Sequence, residues 1–211
     1  MDAGRVIAFE TPAAVMITGS KGRRDIVRAA GLNWILLYNR FDEDAVKEDQ
    51  SLVDSAEKAA EYCKRLAFQK MNAVKDRFVN AAVICADTVV FNKKLLEKPR
   101  TEAEVYGMIR GLNGSKHQVF TGVCICDGRG LNARDGGKSR ILNFASRSDV
   151  LLSGVTDGLI AEMLRAENPY ACSGGYTIDG LLEPYFQVLS GSKENVIGLP
   201  LDEIIFALSG K

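Results

Sequence analysis

Ala81-Ala82-Val83-Ile84-Cys85-Ala86-Asp87-Thr88-Val89-Val90 is the stretch on which the fold turns. Its first six residues are apolar without the alternation of a half-exposed strand, the pattern of a strand covered on both faces in an α/β sheet. Upstream, Val53, Ala56, Ala60, Cys63, Ala67, Met71 and Val74 recur at steps of three and four and predict a long amphipathic helix. Further upstream, Gly19-Ser20 and Gly31-Leu32-Asn33 separate a strand over 13–18, a helix of about ten residues and a strand over 34–38, a βαβ-like opening. Downstream, Val89-Val90-Phe91 and Leu95-Leu96 flank Asn92-Lys93-Lys94 as a hairpin, and Thr101 caps a helix that Pro99 introduces. Strands over 118–126 and 140–152 follow, joined by a glycine-rich charged connection, then a helix over 156–167. A glycine-bracketed turn over 174–180, a strand over 185–189 and a helix over 201–208 complete the chain. With no internal repeat or compositional break, the 211 residues read as one α/β domain, with residues 1–12 outside its core.

Composition removes several functions. Twenty-seven Lys and Arg balance 27 Asp and Glu, so the electrostatic attraction that drives general nucleic-acid binding is missing. No apolar run reaches the roughly 18 residues of a membrane span, and the first ten residues lack a secretory pattern. Five cysteines, mostly in apolar surroundings and without metal-knuckle spacing, read as reduced core residues of a cytoplasmic protein.

Asp87 is the most informative position, a single acid closing an apolar strand. A buried carboxylate must meet a cation, a metal or hydrogen-bond donors, and the carboxyl ends of strands line the crevice of α/β sheets; a strand-end acid capping a turn is the plainer alternative. Lys70 follows Cys63 by seven residues, about 20° around the helix axis, which sets a lysine on the inward face unless it snorkels to solvent. Gly19-Ser20-Lys21-Gly22-Arg23-Arg24-Asp25 places amides, a hydroxyl and three cations at a helix start, a phosphate-binding composition that is not a Walker loop. Gly137-Lys138-Ser139 lacks the upstream glycine that motif needs. Lys98 is a lone cation beside Pro99, and Glu43 sits in an acidic loop able to hold a divalent ion or simply to be solvated. His117, the sole histidine, reads as a structural hydrogen-bonder.

Taken in order, these segments resemble the Maf family of nucleoside triphosphate pyrophosphatases, the septum-formation inhibitor homologues, over residues 13–208. The resemblance rests on Ser20 to Arg24, Asp42-Glu43, Arg65-Leu66-Ala67-Phe68-Gln69-Lys70, Ala86-Asp87-Thr88-Val89-Val90 with Lys98-Pro99, Leu112-Asn113-Gly114 through Gly122, Gly175 to Gly180, and Asn195 to Leu201. It implies two lobes around an elongated mixed sheet with a nucleotide cleft between them, and hydrolysis between the α and β phosphates with Mg2+ or Mn2+. On that resemblance Ser20, Arg23, Lys70 and Lys98 hold the triphosphate, with Lys70 and Lys98 catalytic through the charge they neutralise on the leaving pyrophosphate; Arg24 adds to substrate binding, Glu43 and Asp87 hold the metal or its water, and Asp87 is the general base. A homodimer is also implied. Gly22 stands where other members place a larger side chain, and Thr88 resembles members acting on dTTP and UTP. Asp179 replaces a glutamine and, as an acceptor only, suits a guanine-like base, so pyrimidine and modified guanine nucleotides both remain open. The competing class is a catalytically silent nucleotide-binding regulator of cell division acting through a partner; a kinase is disfavoured by the missing Walker loop.

Overall fold

The computed structural model describes residues 6–38, 52–129 and 139–209. In chain order the elements are β1 (Ile7–Ile17), α1 (Lys21–Ala29), β2 (Ile35–Leu37), α2 (Ala56–Asn72), β3 (Phe78–Asn92), β4 (Lys94–Leu96), α3 (Glu102–Leu112), β5 (Ser115–Asp127), β6 (Arg140–Leu152), α4 (Asp157–Ala166), β7 (Phe186–Ser190), α5 (Lys193–Ile197) and α6 (Leu201–Leu208). Seven strands form one mixed sheet in the order β2-β1-β3-β5-β6-β7, with β4 attached to β3. β1 runs parallel to β2 and β3, as a βαβ opening requires, whereas β3, β5, β6 and β7 pair antiparallel. The α/β class and the mixed sheet expected from the sequence are those observed.

Ala81–Ala86 are all buried at the centre of this sheet, because α2 covers one face while α1 and α6 cover the other. The strand does not end at Asp87, however; β3 continues to Asn92. What ends is its neighbour. Pairing with β1 stops at Ile17 opposite Cys85, and pairing with β4 begins only at Val90. Among the described residues no strand adjoins Ala86–Val89 on that side, while β5 pairs along the other. The sheet is therefore notched beside Asp87 and Thr88.

β1 starts earlier than its apolar run. Ile7 and Ala8 pair with Phe78 and Val79, and the register then shifts before Ala13; Pro12, which has no N–H, falls within that shift, where a ladder bond is dispensable. Residues 7–12, expected outside the core, thus belong to the sheet, with Ile7 and Phe9 half-buried.

The buried apolar side chains of the described residues form four clusters. One joins α3 and α4 through Val105, Ile109, Leu112, Ile160 and Met163. Another joins β1, α1 and α6 through Met16, Val27, Leu199 and Ile204. Serine or threonine hydroxyls cap α1, α2, α3, α4 and α5 by accepting from the amide three residues on. No helix among the described residues is long and apolar enough to cross a membrane.

Candidate active site

A cleft of about 1190 Å³ opens at the notch, bounded by the β1–α1 loop, the middle of β3 and the segment 166–180. Successive residues of a strand point to opposite faces, so Asp87 faces α2 and Thr88 faces α1. Both line the cleft because the missing neighbour strand lets one cavity reach both faces.

On the α2 side, Lys70 Nζ donates to Asp87 Oδ1 at 2.5 Å, with both side chains only 15% exposed. Glycine makes this approach feasible. Gly122 lies opposite Asp87 on β5, and a Cβ there would stand 2.2 Å from the carbonyl oxygen of Cys63. The helix backbone thus rests directly on the sheet, and Lys70, two turns further on, reaches the acid. Burial and the charge of Asp87 together push the Cys63 thiol well above its ordinary range. That thiol stays protonated beside the ion pair.

On the α1 side, the Ser20 amide donates to Thr18 Oγ1 and Ser20 Oγ caps the Arg23 amide. The first turn of α1 carries no acid, so its amide dipoles present positive potential to the cleft, while Lys21 pairs with Asp25 at 2.6 Å. Arg23 donates from Nε to the Gly198 carbonyl at 2.7 Å and from Nη2 to Thr88 Oγ1 at 2.9 Å. Gly198 closes α5 in the left-handed region, φ 115°, and a Cβ there would press on Thr88 Oγ1 and the guanidinium.

Of the residues singled out from sequence, Ser20, Gly22, Arg23, Lys70, Asp87, Thr88, Lys98 and Asp179 all line this one cleft. Arg24 does not; its Nη1 turns back to the Gly19 carbonyl at 2.8 Å and braces the loop from outside. Gly22 is accounted for by packing, since a Cβ would meet Ile197 Cγ2 at 2.6 Å. Glu43, Gly137 and Lys138 lie outside the described residues. His117 stands away from the cleft, buried and bonded through Nε2 to Tyr176 Oη at 2.7 Å, as a structural histidine should be.

Sequence reasoning missed Glu167. Its carboxylate accepts from Thr177 Oγ1 and from the Leu181 amide, holding both ends of the turn that presents Asp179. It also missed the tyrosines of the cleft wall, Tyr38 and Tyr170, which are exposed aromatics. Nothing in their local sequence separates them from ordinary surface residues.

The arrangement combines an acid oriented by a lysine, a second lysine, and a helix start rich in donors. This is the composition needed to seat a polyanion against a proton acceptor. Comparison with known proteins agrees. A dTTP/UTP pyrophosphatase of Caldicellulosiruptor bescii is 30% identical over 188 residues, covering 89% of this chain and 88% of that one. A dTTP/UTP pyrophosphatase of Koribacter versatilis is 33% identical over 151 residues, covering 71% and 73%. A solved structure of a HAM1 protein from Coxiella burnetii aligns at a TM-score of 0.40 and 11% identity, over 95% of this chain and 100% of that one. The family model described as Maf-like protein matches residues 14–210, and with that span the chain belongs to the Maf family.

Proposed function

We propose that this chain is a nucleoside triphosphate pyrophosphatase acting on pyrimidine nucleotides of the dTTP and UTP type, splitting the α–β anhydride to monophosphate and pyrophosphate. The observation that carries this reading is the Lys70–Asp87 pair, set at 2.5 Å inside a cleft shared with Lys98 and the start of α1. Water attacks the α-phosphorus as Asp87 takes its proton, and the bridging oxygen leaves with the pyrophosphate. Lys70 aims the carboxylate; Ser20, Lys98 and the α1 amides hold the phosphates and offset charge on the leaving group. The names of the relatives support the pyrimidine preference.

A divalent cation, Mg2+ or Mn2+, fits this donor set. Among the described residues no three His, Cys, Asp or Glu converge. Such ions are commonly held by one or two carboxylates plus substrate phosphates, a role for Asp87 and, beyond the described residues, Glu43. Bound there, the ion would supply charge neutralisation on the phosphates. A cytoplasmic homodimer engaged in nucleotide-pool sanitation completes the proposal.

The regulator reading is weaker because holding a polyanion gains nothing from a carboxylate at its centre. The two are separated by pyrophosphate release from dTTP, UTP and GTP with Mg2+. Asp87→Asn is expected to lower turnover about 1000-fold while nucleotide binding stays measurable by calorimetry. A fully active Asp87→Asn protein refutes the assignment.

A further inference from the structure

Behind Thr88 runs a ring of hydrogen bonds whose direction is determined by its members. Thr121 Oγ1 donates to the Asn195 carbonyl at 2.8 Å, which uses the only hydrogen that hydroxyl has. In the 3.0 Å contact between Thr88 Oγ1 and Thr121 Oγ1, the donor is therefore Thr88. Arg23 Nη2, which can only donate, supplies Thr88 Oγ1 from the other side. The ring closes through Gly198, whose amide donates to the Asn195 carbonyl and whose carbonyl accepts from Arg23 Nε. Thr88 has thus spent its hydrogen inward, and what it offers the cleft is a lone pair.

We propose that Thr121, buried and without contact to the cleft, is a positioning residue that locks Thr88 as an acceptor, so that the cleft selects a nucleobase presenting a ring N–H at that point. The inference rests on the pyrophosphatase reading and extends it to base choice. A phosphate oxygen only accepts and gains nothing from an acceptor-only hydroxyl, so Thr88 is assigned to the nucleoside, and the α1 start, Lys70 and Lys98 to the phosphates. Asp179 lines the same cavity and as a carboxylate also only accepts. Uracil and thymine carry a single hydrogen on N3 and can give it to Thr88. Cytosine carries a lone pair there and meets Thr88 lone pair to lone pair. The departure at Asp179 and the identity of Thr88, which from sequence pull toward different bases, then make the same demand.

The test compares kcat/KM for UTP and CTP in the wild type, Thr121→Val and Thr121→Ser. Valine removes the inward acceptor and frees the Thr88 hydrogen to turn toward the cleft; the Asn195 carbonyl keeps its bond from Gly198, so the fold retains a satisfied acceptor. The UTP preference is expected to fall about tenfold or more, chiefly through a gain with CTP, and Thr121→Ser is expected to restore it. Loss of a structural contact alone would lower both substrates together. Should Thr121→Val not fold, Thr121→Cys keeps the volume with a weaker hydrogen-bonding group, and its UTP:CTP ratio is expected to fall as well. A folded, active Thr121→Val or Thr121→Cys with an unchanged ratio overturns the proposal, as does a wild type that cleaves UTP and CTP equally. A wild type that releases pyrophosphate from no triphosphate instead overturns the reading of the site itself.

Discussion

Asp87 and His117 sit on adjacent strands, and each is a titratable side chain largely withdrawn from water, yet the fold treats them differently. To Asp87 it delivers an opposite charge, Lys70 from α2, beside a cleft. To His117 it delivers a neutral hydroxyl, Tyr176 Oη, in the apolar cluster around α3 and α4, where the two rings meet edge to face at 5.7 Å and Tyr176 packs on Phe186 at 4.6 Å. Burial pushes the His117 pKa down to about 4, countered only in part by the backbone of Ser115, and raises that of the Tyr176 phenol. The lesson is that withdrawal from water constrains a titratable group without deciding whether it works as an ion or as a neutral strut. The partner arriving from a distant element decides that.

The contrast breaks most sharply at Gly122. Gly122→Ala puts a methyl 2.2 Å from the Cys63 carbonyl oxygen, so α2 must lift and carry Lys70 from Asp87. A loss of about 3 kcal/mol in urea unfolding is expected, with pyrophosphate release down about 100-fold. Unaltered stability and turnover would mean that the ion pair does not depend on the close seat of the helix.

Acid probes the other side of the comparison. Well above pH 6.5 His117 is neutral whether the chain is folded or not, and contributes no pH dependence. Below 6.5 the unfolded chain binds a proton that the folded one refuses, so stability falls until about pH 4 and then levels. The full change is about 3 kcal/mol, read as the difference between wild type and His117→Asn in urea titrations across that range. Parallel curves for the two proteins would mean that His117 is charged in the fold.

The smallest effect is expected at Glu167. Glu167→Gln keeps one acceptor of the two that hold the Asp179 turn, a change of about 1 kcal/mol. It is expected to raise KM several-fold with kcat nearly unaltered, and an equal fall in kcat would place the turn in the chemical step.

Elements bounded by local chemistry were readable from the sequence. The Thr101 and Thr156 caps, the turn at Lys93 with its φ of 60°, and the spans Arg140–Leu152 and Leu201–Leu208 stand where cap, turn and pattern put them. Asp87 misled about the end of β3, since an acid after six apolar residues looks like a boundary when it is a notch left by a shorter neighbour. At the site, the inward face of Lys70 followed from helical spacing, and the buried-acid argument found Asp87. Arg24 and Glu167 were not legible, because the first depends on which way a side chain turns at a helix start and the second on a turn ten residues further along.

The notch has one more implication. Because neighbouring side chains on β3 point away from each other, Asp87, the proposed proton acceptor, and Thr88, the proposed base reader, stand on opposite faces of the sheet while sharing one peptide bond. Descent with modification can therefore retune appetite on one face without disturbing reactivity on the other. By the same token, slipping β3 against β5 by a single residue would exchange the two assignments and forfeit both.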